Sequence, residues 1–142
     1  MIKAESVLCL DIGRKRIGVA RAFWPDGLPT PLATLPNDED FMFALEKLIK
    51  QENAVLIVAG KPRTLDGRET EQTAYSIDLS EQVRNETQLP VYLEDEAVTS
   101  VEAEAELKNR GEPYAKADID ALSAVYILNN FMSAHPKGAG LE

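Results

Sequence analysis

The apolar positions along the chain change their period several times, and each change marks an element. Residues 7–10 form a short, wholly apolar run that stops at Asp11, which predicts a strand buried on both faces. From Arg16 to Phe23 the pattern alternates, with Ile17, Val19 and Arg21 on one side and Arg16, Gly18 and Ala20 on the other. Ile12, Gly13, Arg14, Lys15 and Arg16 make a turn between the two runs, so the chain is expected to open with a β-hairpin. Pro25, Gly27, Pro29 and Pro31 then break regularity, and residues 33–35 leave room for a short third strand.

The rest alternates between helical and strand signals. Asn37 or Asp38 is expected to cap a helix reaching about Gln51, with Phe41, Leu45, Leu48 and Ile49 at helical spacing. Residues 54–59, the most hydrophobic run, predict a central strand ended by Gly60 and followed by a loop from Lys61 to Arg68. A long helix is expected from about Glu69 to Thr87, stopped by Pro90. Residues 91–93 read as a strand that terminates in the acidic cluster Glu94, Asp95 and Glu96. Thr99 and Glu102 match a capping box for a helix ending near Asn109. A last helix is expected over 118–132. Ile119, Leu122, Val125 and Tyr126 share one face of it, and Asp120 heads a second face with Ala124, Ile127, Leu128 and Phe131. This order predicts an α/β three-layer sandwich, a mixed central sheet flanked by helices.

The chain has 142 residues, enough for one domain with its own core. We expect that domain over 1–134 and a flexible tail over 135–142, with Leu141 and Glu142 resembling a vector-derived scar. Cys9 is the only cysteine, so an intrachain disulfide is excluded, and its apolar setting predicts a buried thiol. No run approaches the roughly 18 apolar residues of a membrane span, and no secretory leader is legible, so a cytoplasmic protein with no membrane partner is expected. The net charge of −9 argues against a generic nucleic-acid coat, which would be basic. It does not exclude an enzyme whose site needs carboxylates and whose basic loops bind phosphate.

Three acidic positions stand where charge is expensive. Asp11 ends an apolar strand, Asp95 and Glu96 end another, and Asp120 begins an otherwise apolar helix face. Strand C-termini are where open α/β sheets bind ligands. Carboxylates gathered near a core repel one another, and a hard divalent cation such as magnesium relieves both repulsion and desolvation. Each acid also has an ordinary role: Asp11 in a turn, Asp120 at the positive end of a helix, the cluster as a solvated loop. Spacing alone leaves both readings open. The single histidine, His135, falls in the tail, so zinc or a histidine-based triad has little support.

Four motifs in order change that balance. They are Leu8-Cys9-Leu10-Asp11-Ile12-Gly13-Arg14-Lys15-Arg16-Ile17-Gly18-Val19-Ala20; Val58-Ala59-Gly60-Lys61-Pro62 with Asp66-Gly67; Leu93-Glu94-Asp95-Glu96-Ala97-Val98-Thr99-Ser100-Val101-Glu102-Ala103; and Asp120-Ala121-Leu122-Ser123-Ala124-Val125-Tyr126-Ile127-Leu128. Together they resemble the YqgF/RuvX family, which has been described both as Holliday-junction resolvases and as pre-16S rRNA nucleases. The resemblance spans nearly the whole chain. It implies an RNase H-like fold and a magnesium-dependent nuclease, with manganese as an alternative ion. It places catalytic, metal-holding acids at Asp11, Glu96 and Asp120, with Asp95 as a helper. The implied partner is nucleic acid, either a structured RNA precursor or branched DNA, bound by a monomer or a homodimer. The chain departs from the family pattern at Ala97, where the family has arginine, at Lys61, where it has leucine, and mildly at Ser100.

Two basic loops, Arg14-Lys15-Arg16 and Lys61 with Arg63 and Arg68, are expected to contact the nucleic-acid backbone, although a solvated turn explains them equally well. Lys61 or Arg63 is also placed to replace the missing arginine charge. Two rival readings remain. The hairpin also resembles the first phosphate loop of actin-like ATPases, but those need two such domains and this chain has one. A non-catalytic adaptor would account for Ala97 and the acidic balance, against the retention of all three acids.

Overall fold

The computed structural model describes residues 4–64, 66–96 and 99–135, and for residues 96 and 99–101 the backbone alone. The elements are β1 (Ser6–Ile12), β2 (Arg16–Phe23), β3 (Thr30–Pro36), α1 (Phe41–Glu52), β4 (Ala54–Pro62), α2 (Glu71–Thr87), β5 (Val91–Glu96), α3 (Thr99–Arg110) and α4 (Lys116–Ala134). They build a five-stranded mixed sheet in the order β3-β2-β1-β4-β5. Short connections keep β1, β2 and β3 antiparallel, whereas β1–β4 and β4–β5 are parallel because helices α1 and α2 carry the chain back between them.

Both faces of the sheet are covered, which is why β1 reads as an unbroken apolar run. Leu8, Leu10, Ile12, Ile17, Val19 and Ile57 pack against Phe41 and Leu45 of α1 and Leu79 and Val83 of α2. Val7, Cys9, Ala20, Ala22 and Val58 meet Ala124, Ile127, Leu128 and Phe131 of α4. The second face of α4, with Leu122, Ile119 and Tyr126, receives Ala103 and Leu107 of α3. The two faces read from the sequence of the last helix are thus the two surfaces it buries. Cys9 is buried as expected. Among the described residues no helix is long and apolar enough to cross a membrane.

Several boundaries differ from those expected, each for a physical reason. Strand β4 continues past Gly60 to Pro62, and β5 past Leu93 to Glu96, because Gly60, Lys61 and Pro62 pair with Glu94, Asp95 and Glu96. Backbone pairing extends there into polar residues that hydropathy does not flag. Strand β3 is longer than expected and tolerates Pro31 and Pro36 because it lies at the sheet edge. Helix α1 begins at Phe41. Its N-cap is Asp40, without a side-chain cap bond, and Asp38 instead accepts a hydrogen bond from the Asp40 amide at 2.9 Å. Helix α2 starts after Thr70, whose hydroxyl accepts from the Thr73 amide, while Thr73 accepts from the Thr70 amide at 2.8 Å. Helix α4 starts at Lys116, where Asp118 accepts from the Ala115 amide at 2.8 Å. Thr99, expected as an N-cap, is the first residue of α3, and its side chain lies outside the described residues. Of the tail expected over 135–142, His135 packs against Tyr92 and Phe131, and residues 136–142 lie outside the described residues.

Helix α4 is held at both ends. At its start, the Thr34 hydroxyl donates to the Ala117 carbonyl at 2.7 Å. At its end, the Phe131 ring sits 5.9 Å from Trp24, 5.0 Å from Tyr92 and 4.5 Å from His135, centroid to centroid. Between them, α4 lies so close to β2 that a Cβ on Gly18 would fall 2.0 Å from the Asp120 carbonyl oxygen. The contact is backbone to backbone, so nothing flexible gives way. Gly18→Ala is expected to cost at least the roughly 1–3 kcal/mol of ordinary core overpacking. Urea unfolding measures it, and an unchanged midpoint would refute the close approach.

The α3–α4 pair carries a titratable contact. Tyr126 donates to the Glu106 carboxylate. That bond, with burial adding to it, pushes the Tyr126 hydroxyl up to about 12 from its ordinary 10.0, and it holds Glu106 below the usual carboxylate range. The folded-state value of the phenol is the higher one. Its contribution to stability is therefore complete below about pH 10 and lost as the pH rises through 12. An absorbance titration should show a tyrosinate component rising only near pH 12 that Tyr126→Phe removes.

Candidate active site

Alternation along β1 decides where Asp11 sits. Leu8, Leu10 and Ile12 face α1 and α2, and Val7 and Cys9 face α4, so Asp11 follows the latter pair at the C-terminal end of the strand. It is half-buried and pairs directly across the ladder with Gly18 of β2. Asp120, also half-buried, lies in the early turns of α4 with its backbone on that same glycine. Two acids from opposite ends of the chain are thereby brought to one face, with no side chain at residue 18 between strand and helix.

Arg16, the first residue of β2, joins this pair. Its Nε donates to Asp120 Oδ2 at 2.6 Å, and its side chain keeps 36% exposure against 23% for Asp120. Its neighbours in the β1–β2 turn are firmly braced. The Gly13 amide donates to the Arg16 carbonyl at 3.0 Å. The Asn37 side chain donates to the Gly13 carbonyl at 2.8 Å and to the Tyr75 hydroxyl at 2.7 Å, while the Asn37 amide donates to the Lys15 carbonyl at 3.0 Å. Gln72 of α2 donates to the Ile12 carbonyl at 2.9 Å. The Arg14 guanidinium lies 4.4 Å over the Tyr75 ring. Lys15 is exposed at the tip. Asn37, expected from the sequence as a helix cap, instead binds the β1–β2 turn, while Asp40 precedes the helix. Gln72 and Tyr75 carried no signal in the sequence, because their value lies in reaching a turn far away along the chain.

The ends of β4 and β5 form the neighbouring wall. Glu94, opposite Gly60, is half-buried. Burial pushes its carboxyl above the usual range, the Asp95 charge adds to this, and His135 opposes it. Asp95 is exposed and bound by Arg63 Nε at 3.0 Å. Arg63 also reaches the Gly67 carbonyl at 3.0 Å and Glu69 at 3.3 Å. Lys61 pairs with Glu69 at 3.3 Å and Arg68 with Asp66 at 2.8 Å. The Thr73 hydroxyl donates to the Pro62 carbonyl. The second basic loop is therefore tied to β5 and to its own acids. The backbone of Glu96 ends β5 opposite Pro62; its side chain, like Ala97, lies outside the described residues. Glu94 stood in the acidic cluster read from the sequence but was not among the site candidates, and the strand's extension beyond Leu93 sets it opposite Gly60.

The donor chemistry suits a hard cation. Asp11 and Asp120 offer carboxylate oxygens, and Glu96 is the third candidate. Among the described residues, which do not include the Glu96 side chain, no group of three acidic, histidine or cysteine side chains is placed to hold a metal ion. One further atom near the start of α4 is left without a partner. Among the described residues, the fully buried Ser123 hydroxyl has no hydrogen-bond partner. It lies one helical turn beyond Asp120, on the ridge between Ile119, which packs towards α3, and Ile127, which packs on the sheet. A buried hydroxyl left unpaired is costly.

Comparison with solved structures places this architecture. The chain is similar to Thermus thermophilus RuvC solved in complex with Holliday junction substrate, with a TM-score of 0.55, 14% identity, and coverage of 93% of this chain and 97% of that one. A second Thermus thermophilus RuvC structure gives 0.53, 13%, 91% and 95%. At these identities the likeness concerns the fold, which is RNase H-like. The sequence then specifies the group within that class. The family model "RuvX: Holliday junction resolvase" matches residues 5–134. A protein of Sulfurihydrogenibium sp. (strain YO3AOP1) named "Putative pre-16S rRNA nuclease" is 40% identical over 129 residues, covering 89% of this chain and 88% of its own. A like-named protein of Thiobacillus denitrificans is 36% identical over 133 residues, covering 91% and 92%. The chain belongs to the RuvX family, a family of nucleases.

The bracing of the turn after Asp11 is testable by itself. Asn37→Ala removes both side-chain bonds and is expected to cost about 1–2 kcal/mol, at roughly 1 kcal/mol per hydrogen bond. It should also speed amide exchange at Gly13, whose carbonyl it frees. Unchanged exchange there would show that the turn is rigid without Asn37.

Proposed function

We propose that this chain is a divalent-cation-dependent nuclease that cuts phosphodiester bonds in a structured RNA, in maturation of the 5′ end of pre-16S rRNA. The observation that carries the reading is the convergence of Asp11 and Asp120 over Gly18, in a chain whose relatives bear that name over most of their length. Asp11, Asp120 and Glu96 would hold the cation, with magnesium the ion suited to their oxygens and manganese able to replace it. When bound, it supplies Lewis acidity and lowers the pKa of water beside the scissile phosphate. Asp95, fixed by Arg63, stands next to Glu96 and supports its strand end.

The cations sort into two groups. Arg14 and Lys15 project from the braced turn beside Asp11, which makes them the first contacts for the backbone phosphates. Lys61, Arg63 and Arg68 serve that purpose only by sharing themselves with Glu69, Asp95 and Asp66. In this reading Arg63 compensates in part for Ala97, as a charge near the site whose fork is engaged within the chain. The reaction belongs to the cytoplasm, where ribosomal precursors are processed. The family description and the RuvC-like fold favour a second substrate, a four-way DNA junction. That substrate calls for a two-fold dimer, whereas an RNA cut does not.

Incubation of a precursor rRNA fragment and of a four-way junction, with magnesium and with EDTA, separates these readings. Magnesium-dependent cutting of the RNA is expected, and cutting of the junction alone would replace it with the second. Asp11→Asn is expected to lose more than the roughly 10–100-fold that an outer-shell change costs. Cutting that persists in Asp11→Asn would remove Asp11 from the site.

A further inference from the structure

Arg16 and Asp120 are joined by a short charge-assisted bond, Nε to Oδ2 at 2.6 Å, although they lie far apart in the chain. Both have other prospects. Asp120 is a proposed cation ligand, and Arg16 belongs to the basic turn proposed to meet phosphate. A carboxylate held by a guanidinium is a weaker ligand for a dication, because the two positive charges would share one anion at close range. An arginine held by a carboxylate is likewise a weaker ligand for phosphate. Arg16 keeps enough exposure, at 36%, for a phosphate to reach it from solvent. The backbone of Asp120 is seated against Gly18, and Arg16 is the longer and more exposed side chain of the two, so the exchange is assigned to the arginine.

The geometry points to Arg16 as an exchangeable counter-ion that couples the two ligands of the site. It competes with a divalent cation for Asp120, and a nucleic-acid phosphate that pairs with Arg16 releases Asp120 to the cation. Cation and nucleic acid then bind with positive cooperativity, and the reciprocity of linkage requires each to tighten the other by the same factor. Arg16 is thus a positioning residue that acts through Asp120. The inference rests on the proposed cation site, and its test separates failure of the one from failure of the other.

The test is calorimetric titration of the full chain with Mn2+, alone and with a phosphorothioate oligonucleotide, which keeps the backbone charge and resists cutting. Wild type, Arg16→Met, Arg16→Lys, Asp11→Asn and Asp120→Asn are compared, with circular dichroism confirming that each is folded. Arg16→Met should bind Mn2+ at least about fivefold more tightly than wild type in the absence of oligonucleotide, the lower end of ordinary coupling between sites. Arg16→Lys, which keeps the charge without the fork, should fall between them and guards against a folding defect in Arg16→Met. The oligonucleotide should tighten Mn2+ binding in wild type and leave Arg16→Met unchanged. Equal or weaker Mn2+ binding by Arg16→Met overturns the competition. Equal tightening by oligonucleotide in both overturns the exchange. Wild-type Mn2+ binding that ignores Asp11→Asn and Asp120→Asn would instead overturn the cation site on which the inference rests.

Discussion

Helix α4 lies against strand β2 with the carbonyl of Asp120 where a side chain of residue 18 would otherwise be. That close approach fixes the depth of the helix on the sheet. It brings Asp120 to the strand position facing Asp11, and it sets Ala124, Ile127 and Phe131 into the layer formed by Val7, Cys9, Ala20 and Val58. The aromatic cluster around Phe131 and the bond from Thr34 hold the two ends of the same helix. Site geometry and core packing are therefore one constraint. A helix lifted by one methyl group would lose the carboxylate pair along with its apolar seat.

Charge is the second organising term. The chain is strongly acidic, yet cations surround the candidate site and several are joined to acids of the same chain. Arg63 ties the β4–α2 loop to Asp95 and Glu69, and Lys61 shares Glu69. Exposed pairs of this kind contribute little to stability because water screens them. Their effect is on placement: they hold the loop beside the end of β5. The turn after Asp11 is held differently, by neutral hydrogen bonds from Asn37 and Gln72, which leaves Arg14 and Lys15 outside the acid network. One loop is therefore fixed by its ion pairs, and the other chiefly by neutral hydrogen bonds, with Arg14 over the Tyr75 ring and Lys15 exposed.

The family relation explains how such a body serves nucleic acid. An RNase H-like sheet brings the C-terminal ends of β1, β4 and β5 to one edge because these strands are parallel. The helix that closes the face comes from the far end of the chain. Acidic side chains at that edge repel one another and any phosphate until positive charge is supplied, whether by a cation or by arginine. The contact between Arg16 and Asp120 shows the protein supplying part of that charge itself.

The sequence by itself determined the order of elements, both buried faces of the last helix and the acids worth watching. Periodicity reports directly which side chains are removed from water, and the family motifs carried Asp11, Glu96 and Asp120. Where polar residues take part in strands, hydropathy was silent: β4 and β5 run on through Gly60 to Pro62 and through Glu94 to Glu96 because backbone pairing there does not depend on side-chain character. Sequence could name Gly18 as part of a motif but not as the seat of Asp120. It could name Arg16 as a basic turn residue but not as the partner of that acid. Those facts arise only when residues from distant parts of the chain are packed together, since a contact distance is a property of the fold and not of local pattern.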